Sequence, residues 1–248
     1  MAVTGIRRRR ARRWRGWVGG AVVAMVAALL VFLVTAGYID GAARERFTAS
    51  GTPSPLAALY VSGDAGLKFG MGPPTAKALA GHGVTVIGFN SPTLFRFHRT
   101  RAQTEAMVAD MIRQTIRETG HDRLVLIGQS YGADVLQTGL AALPADLRRH
   151  VAGIVLVVPG DAVYFRADVS GLAYRNAPDS DGRATLRTLT WAPVTCIYGR
   201  AETDSACPGL KLANATLIGM PGGHFLGRDA DGLTALVLAA VRRAAKLG

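Results

Sequence analysis

Short aliphatic runs alternate with longer segments of helical periodicity over most of the chain. Each run is apolar throughout, as is typical of parallel strands buried on both faces of a sheet. The pattern predicts strands at 56–61, 84–89, 124–127, 154–158, 194–198 and 215–218, and helices near 74–80, 102–119, 133–143 and 233–246. This alternation indicates an α/β fold with a mostly parallel sheet and helices on both of its faces.

The N-terminal part carries a much longer apolar stretch. Residues 17–39 contain no charged side chain, and a helix of this length is able to cross a bilayer. Seven arginines precede the stretch and no acidic residue occurs before Asp40, so the N-terminus is expected in the cytoplasm. We predict a basic cytoplasmic segment at 1–16 and a transmembrane signal anchor at 17–39 in the inner (cytoplasmic) membrane, with the rest of the chain in the periplasm or outside. A cleaved signal with a periplasmic product is the alternative, since residues 34–36 are small, as signal peptidase requires.

The charge of the chain supports this topology. The net charge is +12, but seven of the 29 arginines and lysines lie in the segment before the apolar stretch, and the remainder carries +5. That remainder has neither zinc-finger spacing nor an aromatic RNA-binding signature, so we exclude nucleic acid as a partner. The two cysteines lack histidines at ligand spacing, and we predict neither a metal nor a cofactor.

Beyond the apolar stretch, the pattern predicts one domain. Residues 40–55 are small, polar and proline-bearing, as in a linker, and the domain occupies 56–248. One polar interruption at 161–187 suits a small lid or an irregular loop. Cys196 and Cys207 lie 11 residues apart in a domain that is predicted to be exported, so we expect a disulfide bond between them. Two unpaired buried thiols are the alternative.

A Gly-x-Ser-x-Gly motif at 128–132 follows one of the buried strands and leads into a helical pattern. A serine on such a sharp turn stands clear of the sheet, and the glycines let the neighbouring backbone pass close to it. The N-terminus of the following helix favours negative charge at this point. We therefore predict Ser130 as a catalytic nucleophile, with a plain tight turn as the alternative.

The loops after the last two strands supply partners for this serine, because ligands of an open parallel sheet bind outside the carboxyl ends of its strands. His224 follows the final strand in a glycine-rich loop and is the predicted general base. Glu202 and Asp204 both follow the preceding strand, where the acid that orients the histidine belongs, and we favour Asp204. The order serine, acid, histidine is that of α/β-hydrolases.

Two earlier loops complete the predicted site. After the first strand, a glycine-rich loop with Asp64 and Ala65 is expected to supply a main-chain N–H. Together with the N–H of Tyr131 it would form an oxyanion hole, and a tight turn that needs its glycines is the alternative. Arg96 and Arg99 follow the second strand, where their guanidinium groups suit a lipid phosphate. A solvated helix start is the alternative for these arginines.

These motifs resemble those of a bacterial family, the virulence protein VirJ with the closely similar C-terminal domain of AcvB. The matching pieces are Tyr-Val-Ser-Gly-Asp at 60–64, Ile-Gly-Gln-Ser-Tyr-Gly-Ala-Asp at 127–134, Cys-Ile-Tyr-Gly at 196–199 with Glu202, Asp204 and Cys207, and Gly-Gly-His-Phe at 222–225. They span about 56–245. The chain departs from the family pattern at Ala65 and Leu67, where a glycine and a tryptophan are expected, and its single His224 stands where the family often has two histidines.

The resemblance implies an α/β-hydrolase fold and a periplasmic serine hydrolase associated with virulence and type IV secretion. AcvB-like proteins are linked to hydrolysis of lysyl-phosphatidylglycerol. The resemblance therefore implies cleavage of the aminoacyl ester of lysyl- or another aminoacyl-phosphatidylglycerol. Membrane phospholipid, the inner membrane and secretion-system proteins are then the expected partners. Two alternatives stay open: a general periplasmic carboxylesterase or lipase, and a non-catalytic periplasmic partner of a type IV secretion system.

Overall fold

Helix α1 (Val3–Ala36) leads into the domain in the computed structural model, which describes the backbone of residues 3–246 and the side chains of residues 17–246. Its stretch Trp17–Ala36 is long and apolar enough to cross a membrane. The side chains of this stretch are mostly exposed until its last turn. The predicted apolar N-terminal helix is therefore present. The side chains of the predicted basic segment at 1–16 lie outside the described residues.

The strands of the described chain are β1 (Arg44–Phe47), β2 (Ala57–Val61), β3 (Val86–Phe89), β4 (Leu124–Gln129), β5 (Val151–Val157), β6 (Ala162–Val163), β7 (Ser180–Asp181), β8 (Val194–Gly199) and β9 (Ala215–Met220). The main sheet has the order β1-β3-β2-β4-β5-β8-β9. Within it β1 is antiparallel to β3, and the other neighbours are parallel. Strands β6 and β7 pair antiparallel with each other. The predicted mostly parallel sheet is confirmed.

The helices after α1 are α2 (Gly72–Gly81), α3 (Ser91–Phe95), α4 (Arg101–Thr119), α5 (Tyr131–Ala141), α6 (Ala145–Arg148), α7 (Gly182–Leu186) and α8 (Ala230–Lys246). Helices α4 and α5 cover one face of the sheet, and α2 and α8 cover the other. Alternate strand residues point to opposite faces. Leu126 therefore belongs to the core beneath α4 and α5, and Val125 to the core beneath α2 and α8.

The segment 40–55, which the sequence predicts as a linker, contains the edge strand β1, and the prediction is corrected here. Phe47 is the buried residue of this strand. Arg44 stays half exposed and forms a salt bridge of 2.6 Å with Glu118 of α4. Edge strands commonly carry charged residues on their open side. Because three of its four residues are charged, β1 has the polar composition of a linker in the sequence.

Residues 161–187, predicted as a lid or an irregular loop, pack over the carboxyl ends of the strands. They contain β6, β7, α7 and a 3-10 turn at Ala173–Arg175. Phe165 is buried, and α7 packs against α5. This segment is therefore a fixed part of the fold, and several of its side chains line the cavity described below.

Candidate active site

Ser130 lies on a tight turn between β4 and α5. Its φ of 52° and ψ of −126° form a strained conformation, which costs a residue with a side chain about 1–3 kcal/mol. Glycine is required on both sides. A Cβ at Gly128 would lie 2.6 Å from the carbonyl oxygen of Gly132, and a Cβ at Gly132 would collide with the carbonyl oxygen of Val61. The turn holds the serine hydroxyl at the head of α5, clear of the sheet.

The His224 ring bridges Ser130 and Glu202. Ser130 Oγ lies 2.8 Å from His224 Nε2, and His224 Nδ1 lies 2.5 Å from Glu202 Oε1. The Glu202 carboxylate accepts a hydrogen bond from the protonated Nδ1, which leaves Nε2 unprotonated and able to accept a hydrogen bond from the serine hydroxyl. The hydrogen bond to Glu202 raises the pKa of His224 above its ordinary value of 6.5, while burial of the ring opposes the rise. This geometry can deprotonate a serine and stabilise the imidazolium that forms.

The preference for Asp204 as the acid is corrected by the structure. The side chain of Glu202 is only 3% exposed and contacts the imidazole, whereas Asp204 is exposed. The N–H of Glu202 donates to the carbonyl of Gly199 at 3.0 Å, and this turn directs its side chain back toward the sheet edge. Asp204 lies further along the loop, where its carbonyl accepts the N–H of Asp161 at 2.8 Å.

A disulfide bond fastens the loop that carries the acid. Cys196 of β8 is bonded to Cys207, their Cα atoms are 5.8 Å apart, and both residues are fully buried. The predicted pairing is confirmed. The bond closes the loop around Glu202 onto its own strand, and such support limits how far a site residue can drift.

Two main-chain segments lie beside the serine, the loop after β2 and the start of α5. Gly63 lies beside Ser130, since a Cβ built on it would be in van der Waals contact with the serine Cβ at 3.5 Å. Asp64, Ala65 and Tyr131 line the same cavity as the serine. Among the described residues, no hydrogen-bond partner is found for the N–H of Ala65 or of Tyr131. The arrangement leaves amides available to an oxyanion.

Tyr38, just beyond the end of α1, holds this loop in place, and it is not among the residues predicted for the site. Its hydroxyl donates to the carbonyl of Asp64 at 2.8 Å and accepts the N–H of Val169 at 2.9 Å. The carbonyl of Asp64 belongs to the same peptide unit as the N–H of Ala65, so the bond fixes the direction of that N–H. In the sequence Tyr38 is one more residue of an uncharged stretch, and no local pattern marks it.

The groups converge on a cavity of about 700 Å³ with an acidic wall. The carboxylic residues that line it are Asp64, Asp134, Asp161, Glu202 and Asp204. Asp134 accepts the N–H of Gly160 at 2.7 Å, and burial raises its pKa well above the ordinary range. Burial also raises the pKa of Asp64, and the hydrogen bond from the Tyr174 hydroxyl opposes part of this rise. Neither Asp64 nor Asp134 has a cationic partner among the described residues.

The two arginines predicted to hold a phosphate do not reach this cavity. Arg96 donates to the carbonyl of Ile39 at 3.0 Å. Arg99 donates twice to the carbonyl of Leu94, at 3.3 and 3.0 Å. The loop after β3 turns into α3, a helix that the sequence pattern does not predict, and this turn directs both side chains away from the cavity. Arg228, which follows the histidine loop, is the arginine that lines the cavity in the described chain.

Comparisons with known proteins agree with this geometry. The family of bacterial virulence protein (VirJ) matches residues 56–245. No protein of curated function matches the sequence. Among solved structures, a lipase-esterase related protein from Clostridium acetobutylicum is 16% identical with a TM-score of 0.56, and the match covers 80% of this chain and 100% of that one. Est1E from Butyrivibrio proteoclasticus is 12% identical with a TM-score of 0.60, covering 81% and 93%. A thioesterase-like protein from Silicibacter is 18% identical with a TM-score of 0.55, covering 80% and 82%. The fold is therefore that of α/β-hydrolases, as predicted.

Proposed function

The chain belongs to the bacterial virulence protein (VirJ) family, and from this premise we propose a membrane-tethered serine esterase that hydrolyses the aminoacyl ester of aminoacyl-phosphatidylglycerol. The observation that carries the proposal is the hydrogen-bonded chain of Ser130, His224 and Glu202 at the base of an acidic cavity. The hydrogen-bonded chain supports the reaction type. The acidic wall supports a substrate with a cationic acyl group.

The reaction begins at Ser130. His224 Nε2 takes the hydroxyl proton while Oγ attacks the ester carbonyl, and Glu202 stabilises the imidazolium that forms. The N–H groups of Tyr131 and of the loop at 64–65 hold the oxyanion, and such donors contribute roughly 3–4 kcal/mol each. The imidazolium then protonates the departing glycerol oxygen of the lipid, which leaves an aminoacyl ester on the serine. Water, deprotonated by His224, releases the amino acid and restores the serine.

The acidic wall favours an aminoacyl group over a plain fatty acyl group. An aminoacyl ester carries an ammonium group close to its carbonyl, and buried carboxylates in proteins are normally paired with a positive charge. Burial favours the protonated form of Asp64 and Asp134 while the cavity is empty, because neither has a cationic partner within the described chain. An ammonium group in the cavity would favour their ionised form and pair with it. Arg228 at the mouth would meet the lipid phosphate in place of Arg96 and Arg99.

A general carboxylesterase is the second candidate. The large apolar side chains of Phe69, Val169 and Phe225 also line the cavity, and they would accommodate an uncharged acyl chain. The two candidates share the nucleophile and differ in the charge of the acyl group. They are therefore separated by comparing esters of the two kinds.

The nucleophile is tested with a fluorophosphonate probe on the full-length protein. We expect the wild type to be labelled at Ser130 and the Ser130→Ala variant to remain unlabelled. Aminoacyl-phosphatidylglycerol is then quantified in a strain that makes this lipid, with the wild-type gene or the Ser130→Ala gene. The variant should accumulate the lipid. Unlabelled wild-type protein would count against any serine hydrolase, and unchanged lipid with a labelled serine would count against this substrate alone.

The acidic wall is tested with Asp134→Asn, which keeps an oxygen for the N–H of Gly160 but cannot ionise beside an ammonium group. A hydrogen bond to a charged group is worth about 1.5–3 kcal/mol, so kcat/KM for an aminoacyl ester should fall about 10- to 100-fold. The rate on an uncharged ester of the same alcohol should be retained. Asp146→Asn, an exposed change on α6, is the control. Equal losses on both esters would contradict a charge-recognising wall.

A further inference from the structure

We propose that the mouth of the cavity docks onto the outer surface of the membrane that α1 spans, so that lipid enters the site directly from the bilayer. The contact surface is an apolar rim made of Phe69, Val169 and Phe225. This inference rests on the anchored topology of the proposed function, and it is independent of the hydrolytic chemistry.

Three large apolar side chains that line the cavity are exposed and form the rim. Its three side chains are 36%, 40% and 74% exposed in the order Phe69, Val169 and Phe225, and all three line the cavity. Large apolar side chains that cluster around a pocket mouth typically mark an interaction surface. The Phe225 ring also packs edge-on to the His224 ring, with centroids 5.7 Å apart. Whatever covers the rim therefore lies directly over the base.

The anchor helix sets the depth of the rim. Phe32 of α1 packs against Phe69 with ring centroids 4.9 Å apart. The apolar stretch Trp17–Ala36 is about 30 Å long as a helix, which matches the hydrocarbon core of a bilayer. Phe32 lies one turn before the end of this stretch, or about 6 Å inside it. Phe69, which contacts Phe32, therefore lies close to this depth, in the outermost part of the hydrocarbon core beneath the headgroups.

The last turn of the anchor is bonded to the domain, so the rim cannot swing away from this depth. Asn90 Nδ2 donates to the carbonyl of Ala36 at 3.0 Å, and Ala36 itself is fully buried. Arg96 donates to the carbonyl of Ile39, three residues beyond the helix. Its guanidinium is thereby held near the level of the lipid headgroups, where it suits anionic lipids. The position of Arg96 thus fits membrane contact and not substrate binding in the cavity.

A lipid surface is the occupant that these observations favour. A second copy of the chain or a soluble protein would also cover apolar side chains. Neither would explain why the rim meets α1 inside its apolar stretch. Aromatic side chains at the boundary of acyl chains and headgroups are also the usual contact of proteins that rest on a bilayer.

The test uses the full chain, reconstituted in vesicles of phosphatidylcholine and phosphatidylglycerol. Phe225→Trp places a fluorophore on the rim, and the wild type gives the background of the three native tryptophans. Phosphatidylcholine brominated near the headgroup end of its acyl chains is then added to the vesicles. We expect the Phe225→Trp emission to shift to the blue and to lose intensity to the bromines. His82→Trp is the matched control, because His82 is exposed at the end of α2, at the opposite edge of the sheet.

Three results would overturn the proposal. The first is Phe225→Trp emission at the wavelength of a tryptophan in water, with no quenching by the brominated lipid. The second is a blue shift without lipid quenching, which indicates a protein partner or a second copy. The third is a mass of the protein purified from membranes that shows that α1 has been cleaved off. Val169→Trp, at a second residue of the rim that is 40% exposed, repeats the measurement with the same expected result if Phe225→Trp does not fold.

Discussion

At the scale of single residues, the charge of Glu202 governs the imidazole. Glu202→Gln keeps the size of the side chain but removes the charge that stabilises the imidazolium and fixes its tautomer. We expect kcat on a soluble aminoacyl ester to fall about 10³- to 10⁴-fold, as for loss of the orienting acid in other serine hydrolases. Steady-state kinetics of the two purified proteins checks this.

Asp204→Asn is the matched control for that variant. Asp204 is exposed, and it holds the loop through its main-chain carbonyl, which the substitution keeps. Because Asp204 lines the cavity but does not contact the imidazole, its loss should act mainly on KM, and kcat should stay within about tenfold of the wild type, well short of the loss of an orienting acid. A larger loss of kcat in Asp204→Asn than in Glu202→Gln would show that Asp204 is the acid that orients the histidine.

The pH dependence of hydrolysis should follow His224. The base must be neutral, and its hydrogen bond to Glu202 raises its pKa above 6.5. The rate should therefore fall as the pH is lowered through a pKa above that of an ordinary histidine. In Glu202→Gln the protonated form loses its charged partner, so the acid limb should move to lower pH. A pH–rate profile of both proteins measures this, and an unmoved limb would mean that Glu202 does not set the pKa.

The sequence identified those site residues whose role follows from their position in a loop directly after a strand. Ser130 and His224 follow strands in recognisable loops, and the structure brings them to 2.8 Å. The choice between Glu202 and Asp204 depends on a turn that closes on Gly199, and two candidate acids in one loop cannot be ranked by spacing. The prediction that Arg96 binds the substrate phosphate was wrong for a similar reason, because the sequence did not predict helix α3.

At the scale of elements, the turn around Ser130 depends on close backbone packing. A Cβ at Gly132 would collide with the carbonyl oxygens of Val61 and Ser62. Gly132→Ala should therefore lower the free energy of unfolding by about 1–3 kcal/mol or more, as overpacking does, and should abolish labelling of the serine. Gly223→Ala is the control, because a Cβ there meets nothing within 4 Å. Urea unfolding and probe labelling measure both effects, and a stable, labelled Gly132→Ala would refute the packing argument.

The disulfide links β8 to the loop of the acid, and its loss should weaken that link. A bond that closes a loop of this length contributes about 2–4 kcal/mol to the free energy of unfolding. We expect the double variant Cys196→Ala and Cys207→Ala to lose about that much by urea unfolding. It should also lose activity at temperatures where it remains folded. Full activity in the folded variant would show that the loop holds Glu202 without the bond.

The core elements were predicted from sequence because they bury continuous apolar runs. Strands β2, β4 and β8 and helices α4 and α5 fall close to their predicted positions. Strand β1 was missed because three of its four residues are charged. The short strands β6 and β7 were missed because two residues give no periodicity.

At the scale of the whole molecule, the anchor and the site meet at Tyr38. Tyr38→Phe removes the hydroxyl that donates to the carbonyl of Asp64. We expect kcat on a soluble ester to fall up to about tenfold with little change in KM, less than the loss caused by removing an oxyanion donor itself. Tyr198→Phe, a half-buried tyrosine of β8, is the control. If both variants behave alike, Tyr38 has no role in positioning the loop.

Sequence gives the layout of the whole molecule but not the contacts between its parts. The apolar stretch and the alternating pattern predict an anchor followed by an α/β domain. The packing of α1 on the loop after β2 joins residues far apart in the chain, and no local pattern reports it.

The bond between Cys196 and Cys207 also has a consequence for timing. Cytoplasmic reductants keep such pairs open, and oxidation follows only on the far side of the membrane. A newly made chain therefore lacks the covalent link around Glu202 while it is still inside. In the topology proposed above, completion of the site becomes a late step, set by the crossing of the membrane and not by synthesis. Lipids of the inner leaflet would then be spared from chains that await export.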